Sequence, residues 1–556
     1  MAQRPGENRP LLGRDDYDRE GGCSKYLPEY IARRSHLREF ISFMLGVCLV
    51  AACVVTATLT KHADQVGGHD GGSPLAAKRN LVFMVSDGMG PASVTLARNY
   101  RKHVENLPID DVLVLDRHFW GTSRTRSSSA LVTDSAAGAT AFSCARKSYN
   151  GAISVTPDEK PCGSVLEAAK RAGYHTGLVA TTYVTDATPA CFASHVLHRE
   201  YMSAIAMQEI GENVLGRSVD LILGGGRCYF LPNSTRGACR EDGTDVTRLA
   251  QDKHGWSYSD SREAFDALRH GDAVALPHLG LYADHDIPYE IDRRLQNATY
   301  PSLSEMAATA LRALEKATEH SDKGFFIMIE GSRIDHAGHH NDPAAQVHEV
   351  LEYDRTFQVV LDFIARSKTQ TVLVSTSDHE TGGLATAITE PGHNPVYDWY
   401  PQVLARANAS CELLAGRLQA EIARRTGAAG GDSSALSLSS SSRSGLKAWI
   451  DENLVKAGLG IPNARDEELD ALVDNPKASL SLLAGMISVR AHLGWSTGGH
   501  TAVDVNIYTS GGPGTDKIRG NVENTDVGGF LSSWLDVDVD EITDELIEKG
   551  QSTGRA

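Results

Sequence analysis

Residues 325–339 read Phe-Phe-Ile-Met-Ile-Glu-Gly-Ser-Arg-Ile-Asp-His-Ala-Gly-His. The apolar run at its start shows no polar alternation, which describes a strand buried on both faces, as in parallel sheets. The run ends on Glu330. Asp335 and His339 follow four residues apart, so a single helical turn puts both on one face. The same design occurs twice more: Leu81–Val85 runs into Ser86-Asp87-Gly88, and Val372–Ser375 runs into Asp378-His379-Glu380-Thr381-Gly382-Gly383. Ligands of open α/β sheets gather at the carboxyl ends of strands, so three such ends can bring distant carboxylates and imidazoles to one edge. A lone Asp-His pair after a strand is usually a satisfied turn. Three of them in one chain point to a metal-binding edge, and carboxylate with imidazole suits Zn2+ and Mg2+.

Working outward, Gly177–Ala180, Leu221–Leu223 and Val503–Tyr508 also read as strands, and Ser164–Ala172, Ser302–His320 and Ala344–Ala365 as helices. This alternation predicts an α/β domain over residues 79–515, a large and mainly parallel sheet sandwiched by helices. Residues 390–495 break the rhythm and read as an inserted small subdomain, in which the Gly/Ser/Ala tract at 426–445 is expected to be flexible. Residues 516–556, rich in Asp and Glu, are expected to form an acidic C-terminal tail open to processing.

Residues 40–60 carry no charged side chain. At ~1.5 Å per residue they reach about 31 Å, enough to cross a bilayer core. The run is too long and lies too far from the N-terminus for a cleaved signal peptide. Arg33, Arg34 and Arg38 flank its N-terminal side, which predicts a type II single-pass anchor: a cytosolic tail at 1–39, a linker at 61–78 and a luminal body. The sequons at Asn233, Asn297 and Asn408 fit a glycosylating lumen. Six of the nine cysteines lie beyond the anchor; Cys228–Cys239 is the favoured disulfide and Cys144–Cys162 a second candidate. In the tail, Glu7 stands four places before the pair Leu11-Leu12, the pattern of a sorting signal read by a cytosolic adaptor.

The chain has 556 residues, 54 Lys+Arg against 71 Asp+Glu and a net charge of −17. That balance excludes nucleic acid as the main partner, since phosphate-backbone binding needs a basic face. Length and composition equally exclude a small disulfide scaffold and a collagen-like chain.

Thr133-Asp134-Ser135-Ala-Ala-Gly-Ala-Thr140 places a serine among small residues at the head of a helix. There it is accessible and sits in the positive field of the helix terminus, a nucleophile if a metal lowers its pKa and otherwise a plain N-cap.

With Asp134-Ser-Ala-Ala-Gly-Ala-Thr140, Asp186-Ala-Thr-Pro-Ala190, Glu330 to His339, Asp378-His-Glu-Thr-Gly-Gly383 and Gly498-Gly-His-Thr501 in this order, the chain resembles alkaline phosphatases, closely so the fungal vacuolar branch. The resemblance covers about 78–515, and the anchored N-terminus matches that branch's layout. It implies hydrolysis of phosphate monoesters through a phosphoserine, with two Zn2+ and one Mg2+ per subunit. Asp335, His339 and His500 would hold the first zinc. Asp87, Asp378 and His379 would hold the second, with Ser135 as nucleophile in its open position. Asp87, Thr188 and Glu330 would hold the magnesium. Arg199, eleven residues after Thr188 and expected on a helix, would grip the phosphate. Asp186 and His336 would stand behind the third metal, a mixed pair: bacterial members typically carry Asp and Lys there, animal members His at both. The identity of that metal therefore stays open.

The resemblance further implies small phosphate monoesters as substrates, with phosphopeptides as a further class, a homodimer, and a place in the vacuole membrane with the catalytic domain luminal. A phosphodiesterase or sulfatase of the same superfamily, or a catalytically silent membrane-anchored metal-binding protein, are the alternative readings.

Overall fold

Strand β1 (Arg79–Val85) shows how the domain is layered. Its side chains alternate between two cores: Leu81, Phe83 and Val85 pack with Val165, Leu166, Val527 and Phe530 on one face. Val82 and Met84 pack with Met306, Leu311, Val350 and Phe357 on the other. Period-two alternation of an all-apolar strand requires helices on both faces, and both faces have them. The computed structural model describes residues 78–389, 392–427 and 439–554.

Further strands in chain order are β2 (Phe119–Arg124), β3 (His175–Tyr183), β4 (Leu221–Gly225), β5 (Ser257–Ser259), β6 (His278–Leu281), β7 (Phe325–Glu330), β8 (Gln370–Thr376), β9 (Glu380–Thr381), β10 (Leu384–Ala385), β11 (Gly494–Trp495), β12 (His500–Thr501), β13 (Val505–Thr509) and β14 (Gly520–Glu523). Ten of them form one sheet in the order β14-β2-β13-β8-β1-β7-β3-β4-β6-β5. β13 runs antiparallel to both β2 and β8, and every other pairing is parallel. The register sets Val85 beside both Glu330 and Thr376, so β1, β7 and β8 deliver Asp87, Glu330 and Asp378 to the same edge.

One helical layer is Leu303–Ala317 with Pro343–Arg366. The first of these starts on a capping box in which Ser302 and Glu305 satisfy each other's backbone N–H groups. The inserted segment is helical, with Cys411–Thr426, Ser440–Ile450, Asp466–Asp474 and Ser479–Arg490 around Leu414, Leu418, Leu446 and Ile487. Two short antiparallel ribbons, β9 with β12 and β10 with β11, zip its outgoing and returning stems. Ser440 to Gly445, expected to be flexible, instead open a helix.

The expected acidic tail is a correction. Residues 520–548 form β14 and the helices Asn524–Leu535 and Val539–Glu548. Val527, Phe530, Leu531 and Trp534 enter the main core, and Ile542 and Leu546 pack with Ala168. An (i, i+4) apolar pair among acidic residues suffices to dock the last helix. Cys228 and Cys239 are disulfide-bonded as expected. Cys144 and Cys162 are not: both are free and buried, and the Cys144 thiol donates to the Cys162 carbonyl at 3.0 Å.

The tail at 1–39 with Glu7, Leu11 and Leu12, the apolar run at 40–60, the linker through 77 and residues 428–438 lie outside the described residues. Among the described residues, no helix is long and apolar enough to cross a membrane. Asn233, Asn297 and Asn408 are exposed; Asn233 Nδ2 donates to Glu241 O at 2.8 Å and Asn408 Nδ2 to Ala457 O at 3.1 Å.

Candidate active site

Ser135 is the first residue of the helix Ser135–Cys144. Asp134 caps that helix, its Oδ1 accepting from Ala137 N at 3.0 Å, so the first turn holds Ser135 in a fixed orientation. The Ser135 hydroxyl is buried and lies 3.0 Å from His379 Nε2. Gly138 follows one turn later because Asp378 presses on the helix there: a Cβ at 138 would stand 2.9 Å from Asp378 Cβ.

His379 Nε2 is 3.2 Å from Asp378 Oδ2 and 3.6 Å from Asp87 Oδ1. Neither of those oxygens has a hydrogen-bond partner, although both are buried. Asp335, on the helix Arg333–His339, places its Oδ2 3.3 Å from His339 Nε2 and its Oδ1 3.7 Å from His500 Nε2. The β9–β12 ribbon brings His500 over His379, their rings stacked at 3.5 Å. Two groups result whose donor atoms lie within 4.8 Å of one another: Asp87, Asp378 and His379, and Asp335, His379 and His500. Ligand atoms that crowd together with opposing lone pairs, two of them buried carboxylate oxygens without a hydrogen-bond partner, fit a cation between them.

A third cluster is all oxygen. Glu330 ends β7 and accepts from Ser332 Oγ at 2.7 Å. Thr188, on the short helix Ala187–Ala193, has a buried hydroxyl without a partner. Asp87 and Asp186 are among the charges that Glu330 shares this space with. Oxygen-only donors suit a hard cation such as Mg2+.

Electrostatics agree. Burial, then the charges of Asp378, Asp335, Glu330 and Asp186, push the Asp87 carboxyl far above its ordinary range. Burial followed by Asp335 pushes Asp378 up to about 7, and burial with the charges of Asp186 and Asp378 pushes Glu330 up to about 8. Asp335 differs: burial opposes its charge, but the His339 hydrogen bond and the surrounding imidazoles outweigh it and hold its pKa low. Carboxylates packed so closely that they resist ionising are suited to sharing cations, whose charge offsets their repulsion.

Arg199 lies in a turn, not on a helix as expected; its N–H is taken by Gly151 O at 2.8 Å, and the helix Met202–Ile210 starts only afterwards. Its Nη2 donates to Asp186 Oδ1 at 2.8 Å and its Nη1 is 3.6 Å from Asp134 Oδ2. The guanidinium therefore stands between the Ser135 cap and the all-oxygen cluster. Asp186 and His336 are held by different partners: His336 Nδ1 is 3.4 Å from Asp286 Oδ2, and Arg333 Nε lies 3.4 Å from the same nitrogen.

Several members of the site have no mark in the sequence. Thr381 donates to Asp335 Oδ1 and lies 3.1 Å from His379 Nδ1. The carbonyls of Gly498 and Thr133 each lie 2.7 Å from a ring Nδ1, of His339 and His500 respectively. Thr381 could have been suspected from its place beside Asp378-His379; the carbonyls could not, because every residue has one.

Residues 78–537 match the family model for alkaline phosphatase. The repressible alkaline phosphatase of Saccharomyces cerevisiae is 50% identical over 533 residues, 92% of this chain and 90% of its own. The alkaline phosphatase of Schizosaccharomyces pombe is 44% identical over 472 residues, 84% of this chain and 83% of its own. Among solved structures, the Thermus thermophilus alkaline phosphatase superposes with a TM-score of 0.66 at 28% identity, covering 85% of this chain and 96% of its own. The cold-active enzyme of Shewanella sp. gives 0.65 at 30% identity, covering 82% and 99%.

Proposed function

The chain belongs to the alkaline phosphatase family, whose members hydrolyse phosphate monoesters with the help of metal ions, and on that premise we propose that Ser135 is its nucleophile and that a phosphoserine forms and is hydrolysed in each turnover. One observation carries the reading: the Ser135 hydroxyl, fixed at a helix N-terminus, lies 3.0 Å from Nε2 of His379, the residue common to both clusters of metal-competent donors.

Asp335, His339 and His500 would hold one Zn2+, and Asp87, Asp378 and His379 a second. Asp87, Thr188 and Glu330 would hold Mg2+. Bound there, the cations supply Lewis acidity to the phosphoryl and leaving oxygens and lower the pKa of the Ser135 hydroxyl. Ser135 Oγ attacks phosphorus in line, its proton goes to solvent, and the bond from phosphorus to the ester oxygen breaks to release the alcohol. Water then attacks phosphorus, the bond from phosphorus to Ser135 Oγ breaks, Oγ takes a proton back from solvent and inorganic phosphate leaves. Arg199 offers a planar fork to two phosphate oxygens, and Asp186 and Asp134 keep that fork oriented. The positive field at the N-terminus of the Ser135 helix adds to the attraction for the same anion.

The reading extends to a luminal enzyme on a single-pass type II anchor in the vacuole membrane. The uncharged run at 40–60 with its basic N-terminal flank and the Glu7-Leu11-Leu12 tail support it. It extends also to a homodimer; Phe119 and Leu131, 52% and 78% exposed, are apolar surface that a second copy would cover. Because recognition centres on the phosphoryl group, a broad range of small monoesters is expected.

Hydrolysis of p-nitrophenyl phosphate by the wild type and by Ser135→Ala tests the core of this: equal rates would end the proposed mechanism.

A further inference from the structure

His195 and Glu167 form a fully buried pair at 2.9 Å, outside both metal-competent clusters. His195 Nε2 faces Glu167 Oε1, and His195 Nδ1 faces Ser154 O at 3.1 Å. A carbonyl oxygen can only accept, so Nδ1 donates to Ser154 O, and His195 Nε2 and the Glu167 carboxyl share a proton across the second contact. The second Glu167 oxygen accepts from Ser164 N at 2.9 Å in a capping box, which fixes the carboxyl in place. Burial works against the charge on the ring, but the Glu167 carboxylate outweighs it and the pKa is raised.

The contacts run in two directions. Val196, the next residue, exchanges backbone hydrogen bonds with Ile153 at 3.0 and 3.1 Å, and Arg199 N donates to Gly151 O. Residues 151–154 are in turn bolted to the Ser135 helix. Gly151 N donates to Asp134 Oδ2 at 2.9 Å, Ser154 N to Thr140 Oγ1 at 3.0 Å, and Ser154 Oγ lies 3.1 Å from Ser143 Oγ. Ser154 is held at φ +42°, a left-handed conformation that a serine keeps only when its neighbours fix it. His195 therefore fastens the segment carrying Arg199 to the frame carrying Ser135, and Glu167 fixes His195.

We propose that His195, held by Glu167, is a positioning residue that sets the Arg199 guanidinium relative to Ser135 and so determines how tightly the site grips phosphate. The proposal rests on the reading of Arg199 as the phosphate-binding residue.

The test is a double-mutant cycle on the metal-loaded full chain, with inorganic phosphate as the probe. The inhibition constant for phosphate, KM and kcat for p-nitrophenyl phosphate, and the melting temperature are measured for the wild type, His195→Gln, Arg199→Ala and the double variant. Coupled residues depart from additivity, so His195→Gln should raise the phosphate inhibition constant on the order of tenfold in the wild type and by less than about twofold with Arg199→Ala. A residue needed only for folding lowers the melting temperature in both backgrounds and raises the constant by the same factor in each; that result overturns the proposal, as does an unchanged constant in His195→Gln. If Arg199→Ala alone leaves phosphate binding intact, the reading of Arg199 fails first and the proposal falls with it. Should His195→Gln not fold, Glu167→Gln keeps the shape of the pair and takes its place in the cycle: a rise in the constant that vanishes with Arg199→Ala supports the proposal, and an equal rise in both backgrounds or none at all overturns it.

Discussion

His339 Nε2 and His500 Nε2 stand 3.1 Å apart, and each ring is oriented by a backbone carbonyl at its other nitrogen. With both Nδ1–H groups donated to those carbonyls, two lone pairs face each other beside Asp335, which only a proton or a cation relieves. Removing metal with EDTA is therefore expected to abolish hydrolysis of p-nitrophenyl phosphate and to lower the melting temperature, with zinc restoring both. A ligand at 100 times its Kd adds ~2.7 kcal/mol per site, so the loss should be several degrees by calorimetry. Full activity after exhaustive chelation would exclude the metal reading.

The metal-free protein should respond to pH in the opposite sense to a protein held by ionised carboxylates. Asp378 and Glu330, raised to about 7 and about 8 when folded, have ordinary values of 3.8 and 4.5. Between those limits the folded chain holds protons that the unfolded chain has released, so stability is greatest at the acid end and falls as pH rises. The melting temperature of the apo protein should drop between pH 7 and 8, above the range in which the lowered pKa values of His379 and His500 act in the opposite sense, while that of the metal-loaded protein stays level because cations replace the protons. Adding zinc to apo protein at pH 6 should release protons, which a weakly buffered titration reads directly. A level apo profile would mean the carboxylates are not packed as described.

How far the sequence leads can be judged from individual residues. Asp87, Glu330 and Asp378 are legible because each ends an apolar run, and strand ends of a parallel sheet converge. His500 is legible only through its family motif; what brings it to His379 is the β9–β12 ribbon, two residues per strand, too short for any periodicity to show. Arg199 is expected on a helix only through the family resemblance; its place in a turn is set by the Gly151 carbonyl that takes its N–H, a contact no local pattern shows. The C-terminal helices read as tail because charge count hides an apolar pair, Ile542 and Leu546, four residues apart.

Asp134 serves three neighbours with its two oxygens. Oδ1 caps the Ser135 helix through Ala137 N, and Oδ2 accepts from Gly151 N and faces Arg199. Asp134→Ala should cost about 1 kcal/mol for the lost cap and weaken phosphate binding as well. Asp134→Ser keeps a capping oxygen but cannot reach the second set of partners. It should retain most of the stability while showing the same rise in the phosphate inhibition constant. Denaturant midpoints and inhibition constants for both variants separate the two roles; parallel losses would show that only the cap matters.

Two glycines should separate folding from metal content. Gly88, just after Asp87, has φ +74°, and a Cβ there would come 2.5 Å from Asp335 Cα, so both strain and backbone collision oppose any side chain. Gly88→Ala should cost roughly 2 kcal/mol or more, from the left-handed φ and the forced shift together, and should lose metal with it. Gly138 lies inside the Ser135 helix, where alanine ordinarily gains ~1 kcal/mol over glycine. Its new Cβ would meet Asp378 Cβ at 2.9 Å, a buried atom fixed to the backbone, so the helix or Asp378 must shift. The helix gain offsets part of the cost of that contact, while Asp378 is displaced from His379. Gly138→Ala should melt within a few degrees of the wild type yet bind less zinc by atomic emission and hydrolyse substrate at least tenfold more slowly, since one 1.4 kcal/mol step of misplacement is already about tenfold in rate. Wild-type zinc content in Gly138→Ala would mean that the helix moves and Asp378 does not.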